Sequence, residues 1–234
     1  MINDITYNGT ALGTFGCYPN QHMSFNSPEK DYELVEVLGR DGALVINNDR
    51  FRTLELEVPC YMNENFITNY RNLMSFLNAQ NGFQRLEFSF EPNYFRKALV
   101  MNLTEPSVYP FAKKASFSII FTCQPQRWLK SGENWISFTA DGTITNPTRF
   151  DAKPIIRIYG AGEVGIGSQT ITLTHAGTNY VDVDCDIMDA YEGSTNMNQY
   201  LQVTDFPVLH SGSNGATLGT GVTKVEIMPR WYEI

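Results

Sequence analysis

From Leu54 to Tyr61 the chain alternates strictly: Leu54, Leu56, Val58 and Cys60 are interleaved with Glu55, Glu57, Pro59 and Tyr61. Only an extended strand carries every second side chain on one face, so this period predicts a strand with a buried apolar side and carboxylates in solvent. The same period governs Arg85–Phe90, with Leu86, Phe88 and Phe90 inward, and Ala115–Cys123, with Phe117, Ile119, Phe121 and Cys123 inward. It recurs in Tyr32–Val37, which leads into the turn signal Gly39-Arg-Asp-Gly42. One segment departs from it. Phe66, Ile67, Tyr70, Leu73, Met74 and Leu77 recur at spacings of three and four, which predicts a single helix over about 64–80 lying on a sheet. Asn63 or Asn65 is placed to cap its start and Gly82 to end it in a left-handed turn. The expected fold class is all-β with one helix.

Two blocks are discernible. Phe121-Thr-Cys-Gln-Pro-Gln-Arg-Trp128 closes the first, with Pro125 expected to stop the strand, and the polar Ser131-Gly-Glu-Asn134 suits a junction. Short strands with closely spaced turn signals follow: Trp135–Phe138, Thr143–Asn146, Pro154–Tyr159, Gln169–Leu173, Tyr180–Ile187, Tyr200–Thr204 and Val222–Met228. That density without a helical period predicts a β-sandwich. The expected domains are therefore 1–134, sandwich-like with the helix, and 135–234, a β-sandwich. Residues 14–31 show no clean period and carry Pro, Asn and Ser, which predicts a projecting arm or hairpin.

A formal charge of −8 gives no long-range attraction to phosphate backbones. Cys17, Cys60, Cys123 and Cys185 are scattered without a Cys-x-x-Cys pair, which predicts free buried thiols in a reducing compartment rather than a disulfide framework. The start, Met1-Ile-Asn-Asp-Ile-Thr-Tyr-Asn, lacks the basic and apolar stretches of a secretion signal, and apolar runs such as Ala43-Leu-Val-Ile46 are too short to span a membrane. A soluble product made inside the cell, without membrane insertion, is expected.

No motif assembles a catalytic site. Gly160-Ala-Gly-Glu-Val-Gly165 spells a dinucleotide fingerprint, but the β-branched Gln169-Thr-Ile-Thr-Leu-Thr174 follows where a helix N-terminus is required, so a glycine-rich hairpin turn is expected. Asp182-Val-Asp-Cys-Asp186 resembles a calcium loop without its glycine and final glutamate. Strand alternation accounts for it, with Val181, Val183, Cys185 and Ile187 inward and the three Asp in water, and leaves open a weak surface calcium site. His22, His175 and His210 have no zinc spacing, and Ser211-Gly-Ser-Asn-Gly215 lacks the nucleophile-elbow spelling and suits a turn. Glu87 and Glu91 lie roughly 13 Å apart on an extended strand, too far for a glycosidase pair. Trp128, Trp135 and Trp231 fall at strand ends, where packing is expected and stacking on sugars is the alternative. The expectation is no catalytic residues, no cofactor site and no metal site.

The order of several segments resembles the distal tail proteins of long-tailed, non-contractile bacteriophages. These segments are Val37-Leu-Gly-Arg-Asp-Gly-Ala-Leu44, the lone helix, and Phe117-Ser-Ile-Ile-Phe-Thr-Cys-Gln-Pro125 in the first block. In the second they are Asn146-Pro-Thr, Ala152-Lys-Pro-Ile-Ile-Arg-Ile-Tyr-Gly160, Asp184-Cys-Asp186, Phe206-Pro-Val-Leu-His-Ser-Gly-Ser-Asn214 and Pro229-Arg-Trp231. The resemblance implies an N-terminal ring-forming domain and a C-terminal galectin-like sandwich. It also implies a homo-hexamer at the virion's tail tip, assembled in the host cytoplasm. Its partners would be the tail tube protein, a tail-associated lysin, fibre or spike, and receptor-binding proteins, with DNA only in passage through a central channel. The alternative is a galectin-like, carbohydrate-binding adhesin module.

Overall fold

A computed structural model describes residues 4–20, 26–109 and 114–234. The chain divides into two compact units, one ending at Arg127 and taking in Ile234, the other Trp128–Glu233. Both are built of strands, and the one α-helix among the described residues lies in the first.

In the first unit the strands are β1 (Ile5–Tyr7), β2 (Thr10–Ala11), β3 (Cys17–Pro19), β4 (Lys30–Glu36), β5 (Ala43–Phe51) and β6 (Leu54–Met62). After the helix α1 (Phe66–Asn78) come β7 (Gln84–Phe88), β8 (Tyr94–Leu103), β9 (Ser107–Tyr109) and β10 (Lys114–Leu129). The main sheet runs β2-β1-β7-β8-β10-β6-β3, with β9 on β10. Within it lies the antiparallel pair β6–β10, where Leu56 faces Phe121, Val58 faces Ile119 and Cys60 faces Phe117. These are the inward sets of the two alternating segments, and all six are buried. The helix covers this apolar side, burying Leu73 and Leu77, with Tyr70 edge-on to Phe117 at 5.3 Å between centroids.

Several local expectations change. Pro125 does not stop its strand: β10 continues to Leu129, and Pro125 lies past Cys123, the last residue paired with β6, so its missing N–H removes no bond from that ladder. Asn65 occupies the helix cap in a left-handed conformation without a side-chain cap bond, and the helix ends on Ala79 before Gly82 is reached. Phe90 is exposed because β7 ends at Phe88.

The second unit begins with β11 (Ile136–Phe138), β12 (Gly142–Asn146), β13 (Ile155–Gly160), β14 (Gly162–Ile166), β15 (Gln169–Leu173) and β16 (Val181–Asp184). It continues with β17 (Asp189–Glu192), β18 (Thr195–Asn196), β19 (Leu201–Val203), β20 (Gly212–Leu218), β21 (Val222–Met228) and β22 (Tyr232–Glu233). A six-stranded sheet, β11-β21-β13-β16-β17-β18, and a five-stranded sheet, β12-β20-β14-β15-β19, enclose one core of Ile144, Ile156, Ile158, Val164, Ile166, Ile171, Val183 and Ile227 among others. This is a β-sandwich. The Lys130–Glu133 turn goes with this unit: Leu129 N–H donates to the Trp231 carbonyl and Arg230 N–H to the Gly132 carbonyl.

Two glycine-rich segments expected as turns are strands. Ser211-Gly-Ser-Asn-Gly215 opens β20, flanked by β12 and β14, where Asn214 is buried and bonds the backbone of His210 on both sides. Gly160-Ala-Gly-Glu-Val-Gly165 steps from one sheet to the other, ending β13 and forming most of β14. A Cβ at Gly160 would lie 2.1 Å from the Gly221 carbonyl oxygen, and one at Gly165 would lie 2.4 Å from Thr217 Oγ1, so these glycines permit close approach of neighbouring strands.

Candidate functional site

Of the projecting arm or hairpin expected at 14–31, Asn26, Ser27, Glu29 and Lys30 are exposed. Within that range Cys17–Pro19 is β3, an edge strand paired with β6, while residues 21–25, His22 among them, lie outside the described residues. Lys30 and Asp31, at the end of that range, open the hairpin β4–β5, a two-stranded sheet of its own. Nearly half of the large apolar side chains exposed among the described residues sit on it: Tyr32, Leu34, Val37, Leu38, Leu44, Val45 and Ile46.

Both faces of this hairpin are apolar. Leu34 opposes Val45 on one side, 67% and 60% exposed, and Val35 opposes Leu44 on the other, with Ile46 beside them. An ordinary half-buried strand has one dry face and one wet face, so this ribbon has the pattern of strands covered on both sides.

Its root is fixed by ions. The register shifts between Lys30 and Tyr32, and the residue at the shift, Asp31, is buried. One Asp31 oxygen accepts from Arg50 Nε at 2.7 Å; the other accepts from Arg52 Nε at 3.0 Å and a terminal nitrogen at 2.6 Å. Hydrogen bonds from Arg52, then Arg50, hold the Asp31 carboxyl below the usual aspartate range. Opposite, Asp49 takes a positive φ of 50° and its N–H bonds Asn47 Oδ1, which completes the irregularity. An open depression of about 760 Å³ lined by Asp31, Tyr32, Glu33, Asn48, Arg50, Phe51, Arg52 and Thr53 lies here.

The motifs of the second unit resolve into structural pairs. Asp182 and Asp184 do not face water; both are buried, and β16 ends at Asp184, which leaves Ile187 exposed. Arg157 grips Asp182 with two bonds, at 2.7 and 3.0 Å. Arg230 grips Asp184 at 3.0 and 2.6 Å, and Asp186 lies 3.4 Å from Lys153. Each carboxylate of the calcium-like run thus has a cation, and among the described residues no group of three His, Cys, Asp or Glu is placed to hold a metal ion. His175 packs on Tyr200, and His210 Nδ1 lies 3.0 Å from Asp151. Glu87 pairs with Arg85, while Glu91 takes Arg96 and Arg127. Burial pushes the Cys123 thiol up to about 11 and Cys185 up to about 12, and the Cys17 thiol also rises, chiefly through its bond with Cys60; these are inert groups.

One polar row crosses the whole six-stranded sheet. Ser137, Glu226, Arg157, Asp182, Tyr191 and Asn196 stand opposite one another in successive strands. Arg157 is stacked against Trp135 at 4.4 Å and Tyr180 at 4.0 Å, and Lys224 against Tyr159 at 3.9 Å. Trp128 packs on Tyr232 and Trp231 is buried. The sequence reading missed this row, since strand neighbours far apart in the chain carry no local signal.

The architecture defines a class: a strand-built chain of two units, with one α-helix among the described residues of the first and a sandwich in the second. No protein-family profile matches the sequence, and no curated protein matches it either. Solved structures do. The Dit protein (gp 19.1) of phage SPP1, described as a paradigm of the hub adsorption apparatus in phages infecting Gram-positive hosts, superposes with TM-score 0.76 at 15% identity, covering 100% of both chains. A chain of the phage P2 baseplate in its calcium-activated conformation gives TM-score 0.56 at 12% identity, covering 97% of each. The strontium form gives 0.57 at 11%, covering 97% of this chain and 96% of that one. The chain shares its fold with the SPP1 Dit protein and with these baseplate chains.

Proposed function

We propose that the chain is a non-enzymatic structural subunit of a phage tail tip. Copies close into a hexameric ring that joins the tail tube to a tail-associated lysin or spike and to receptor-binding proteins, leaving a channel through which DNA passes. Residues 1–134 form the ring and 135–234 a galectin-like sandwich; assembly takes place in the host cytoplasm. The observation that carries this reading is the β4–β5 hairpin. A two-stranded ribbon is marginal alone in water, and one with apolar residues on both faces finds its cover in neighbouring copies. Repeated heterologous contacts of this kind close into rings. The full-length likeness to a hub protein supports the same reading.

The alternative, a carbohydrate-binding module, has the polar row and the aromatic groups beside it in its favour. The faces of Trp135, Tyr159 and Tyr180 are, however, engaged by the chain's own Arg157 and Lys224, which leaves them less free to stack on a sugar. Multi-angle light scattering and negative-stain imaging of the purified chain test the hub. Sixfold particles with a central hole are expected, and Leu34→Asp with Val45→Asp should hold the protein as a folded monomer. A wild-type monomer at every concentration, or a double variant that still assembles, would refute the reading.

A further inference from the structure

We infer that the paired guanidiniums at the hairpin root are the binding site for a specific pair of carboxylates on the neighbouring copy, Glu55 and Glu57. The inference rests on the self-assembly proposed above and names the contact that sets its register.

Arg50 and Arg52 both reach the Asp31 carboxylate, so they share a side of the chain although each is largely exposed, 73% and 59%. Asp31 uses Nε of Arg50, and Nε with one terminal nitrogen of Arg52. A guanidinium has five N–H donors, so each arginine retains donors facing solvent while the buried carboxylate fixes its orientation. Glu33 lines the same depression and Glu29 acts on Arg52, so what marks this point is the solvent-facing N–H donors of two guanidiniums rather than a net charge.

The complementary feature lies on β6. Glu55 and Glu57 are exposed on the outer side of the main sheet, opposite Thr122 and Ile120 of β10. Neither side chain has an ion pair or hydrogen bond of its own among the described residues. Their spacing is two residues along a strand, about 7 Å, and the arginines are also two residues apart along an extended segment. Two carboxylates at the repeat of two guanidiniums form a matched charge ladder when strands run side by side. A one-residue slip would send one set to the opposite face, so the ladder selects register as well as partner. Copies that each carry −8 repel one another at long range, so the ladder acts at contact, where guanidinium–carboxylate bonds favour one alignment and reject others.

Charge exchange tests this. Glu55→Lys with Glu57→Lys reverses the carboxylate pair without breaking an ion pair or hydrogen bond of those side chains. Asp31→Arg with Arg50→Glu and Arg52→Glu reverses the guanidinium pair while keeping opposite charges at the root. Each variant alone should elute at the single-chain mass of 26.5 kDa, and an equimolar mixture should recover the wild-type assembly, because every contact in an alternating ring again joins opposite signs. As an independent readout, wild-type association should weaken at least about tenfold from 50 to 500 mM salt, with a much shallower slope for Glu55→Gln with Glu57→Gln. A wild-type assembly that persists in the Glu-to-Lys variant with unchanged salt dependence overturns the ladder and leaves the hub standing. A mixture of two folded variants that stays monomeric also overturns it. A wild-type protein that never assembles overturns both.

Discussion

The Arg230–Asp184 pair has a consequence that separates charge from conformation. Arg230 sits at φ +58°, a left-handed backbone that side chains other than glycine and asparagine adopt at a cost of about 1–2 kcal/mol. It keeps that conformation while its guanidinium bonds both oxygens of Asp184 and the carbonyls of Lys153 and Pro154. The side chains are 20% and 9% exposed, so removing the arginine strands a largely buried carboxylate. Breaking such a pair costs about 3–5 kcal/mol, and the partial exposure of the arginine places Arg230→Ala near about 3. Arg230→Gly loses the same pair but releases the strained φ, so it should cost about 1 kcal/mol less than Arg230→Ala, the reverse of the usual order of these residues. The pH dependence has a definite sign. Burial works against the charge on Asp184, but Arg230 and the Asp186 amide override it and hold the carboxyl below its ordinary value. Its ionisation therefore stabilises the fold above the unfolded pKa of about 4, and that contribution is lost as pH falls through the lower folded value. Without Arg230 burial is less opposed and the sign inverts, so the gap between wild type and Arg230→Ala should narrow from pH 7 to pH 4. All three tryptophans, Trp128, Trp135 and Trp231, lie in the second unit, so urea unfolding followed by tryptophan fluorescence reads its stability directly. A gap that does not change with pH, or a glycine variant no more stable than the alanine one, would refute the reasoning.

Two further outcomes follow from the same physics. Gly160→Ala places a Cβ 2.1 Å from the Gly221 carbonyl oxygen at φ +104°, and should destabilise the second unit by about 3 kcal/mol or more in the same urea assay; Gly193→Ala, at φ +60° with open space around it, should cost only about 1. At the hairpin root, Asp31 is held below the usual aspartate range, so its grip on Arg52 and Arg50 is complete above about pH 5 and fades as pH falls through its lowered value. Amide exchange in residues 30–51 should accelerate at low pH relative to residues 54–62, and Asp31→Asn should show the fast hairpin exchange already at pH 7.

Which parts of this architecture the sequence disclosed follows from what periodicity measures. Leu56, Val58 and Cys60 face Phe121, Ile119 and Phe117 because two alternating segments share one core, and each segment alone reveals its inward set. The helix is legible for the same reason, through the stripe that buries Leu73 and Leu77. Gly212–Leu218 was not, because Gly, Ser and Asn signal turns by local preference, while here small side chains and a buried Asn214 serve close strand packing. Asp182 and Asp184 looked solvated because aspartate usually is; the arginines that allow their burial come from Arg157 and Arg230, far away in the chain.

The hairpin exposes the limit most clearly. Tyr32–Val37 reads as a strand like Leu54–Cys60, yet the second is buried against β10 and the helix while the first is largely exposed among the described residues. Alternation records which side chains share a face; it carries no information on what lies against that face. Apolar residues on both sides of a ribbon this exposed would favour aggregation unless a specific partner covers them. The charges at its base then have a reason to be where they are. Arg50, Arg52 and Asp31 sit at the register shift, where a change of angle would move every apolar side chain beyond it, so fixing that one point orients the whole apolar surface, which in the proposed assembly happens before a neighbour arrives. Pre-orientation of this kind lowers the entropy lost on association. Loosening the root through Asp31→Asn should therefore weaken assembly even though every apolar contact residue is unchanged, and equal association of Asp31→Asn and wild type in light scattering would show that the neighbour, not the root, orients the ribbon.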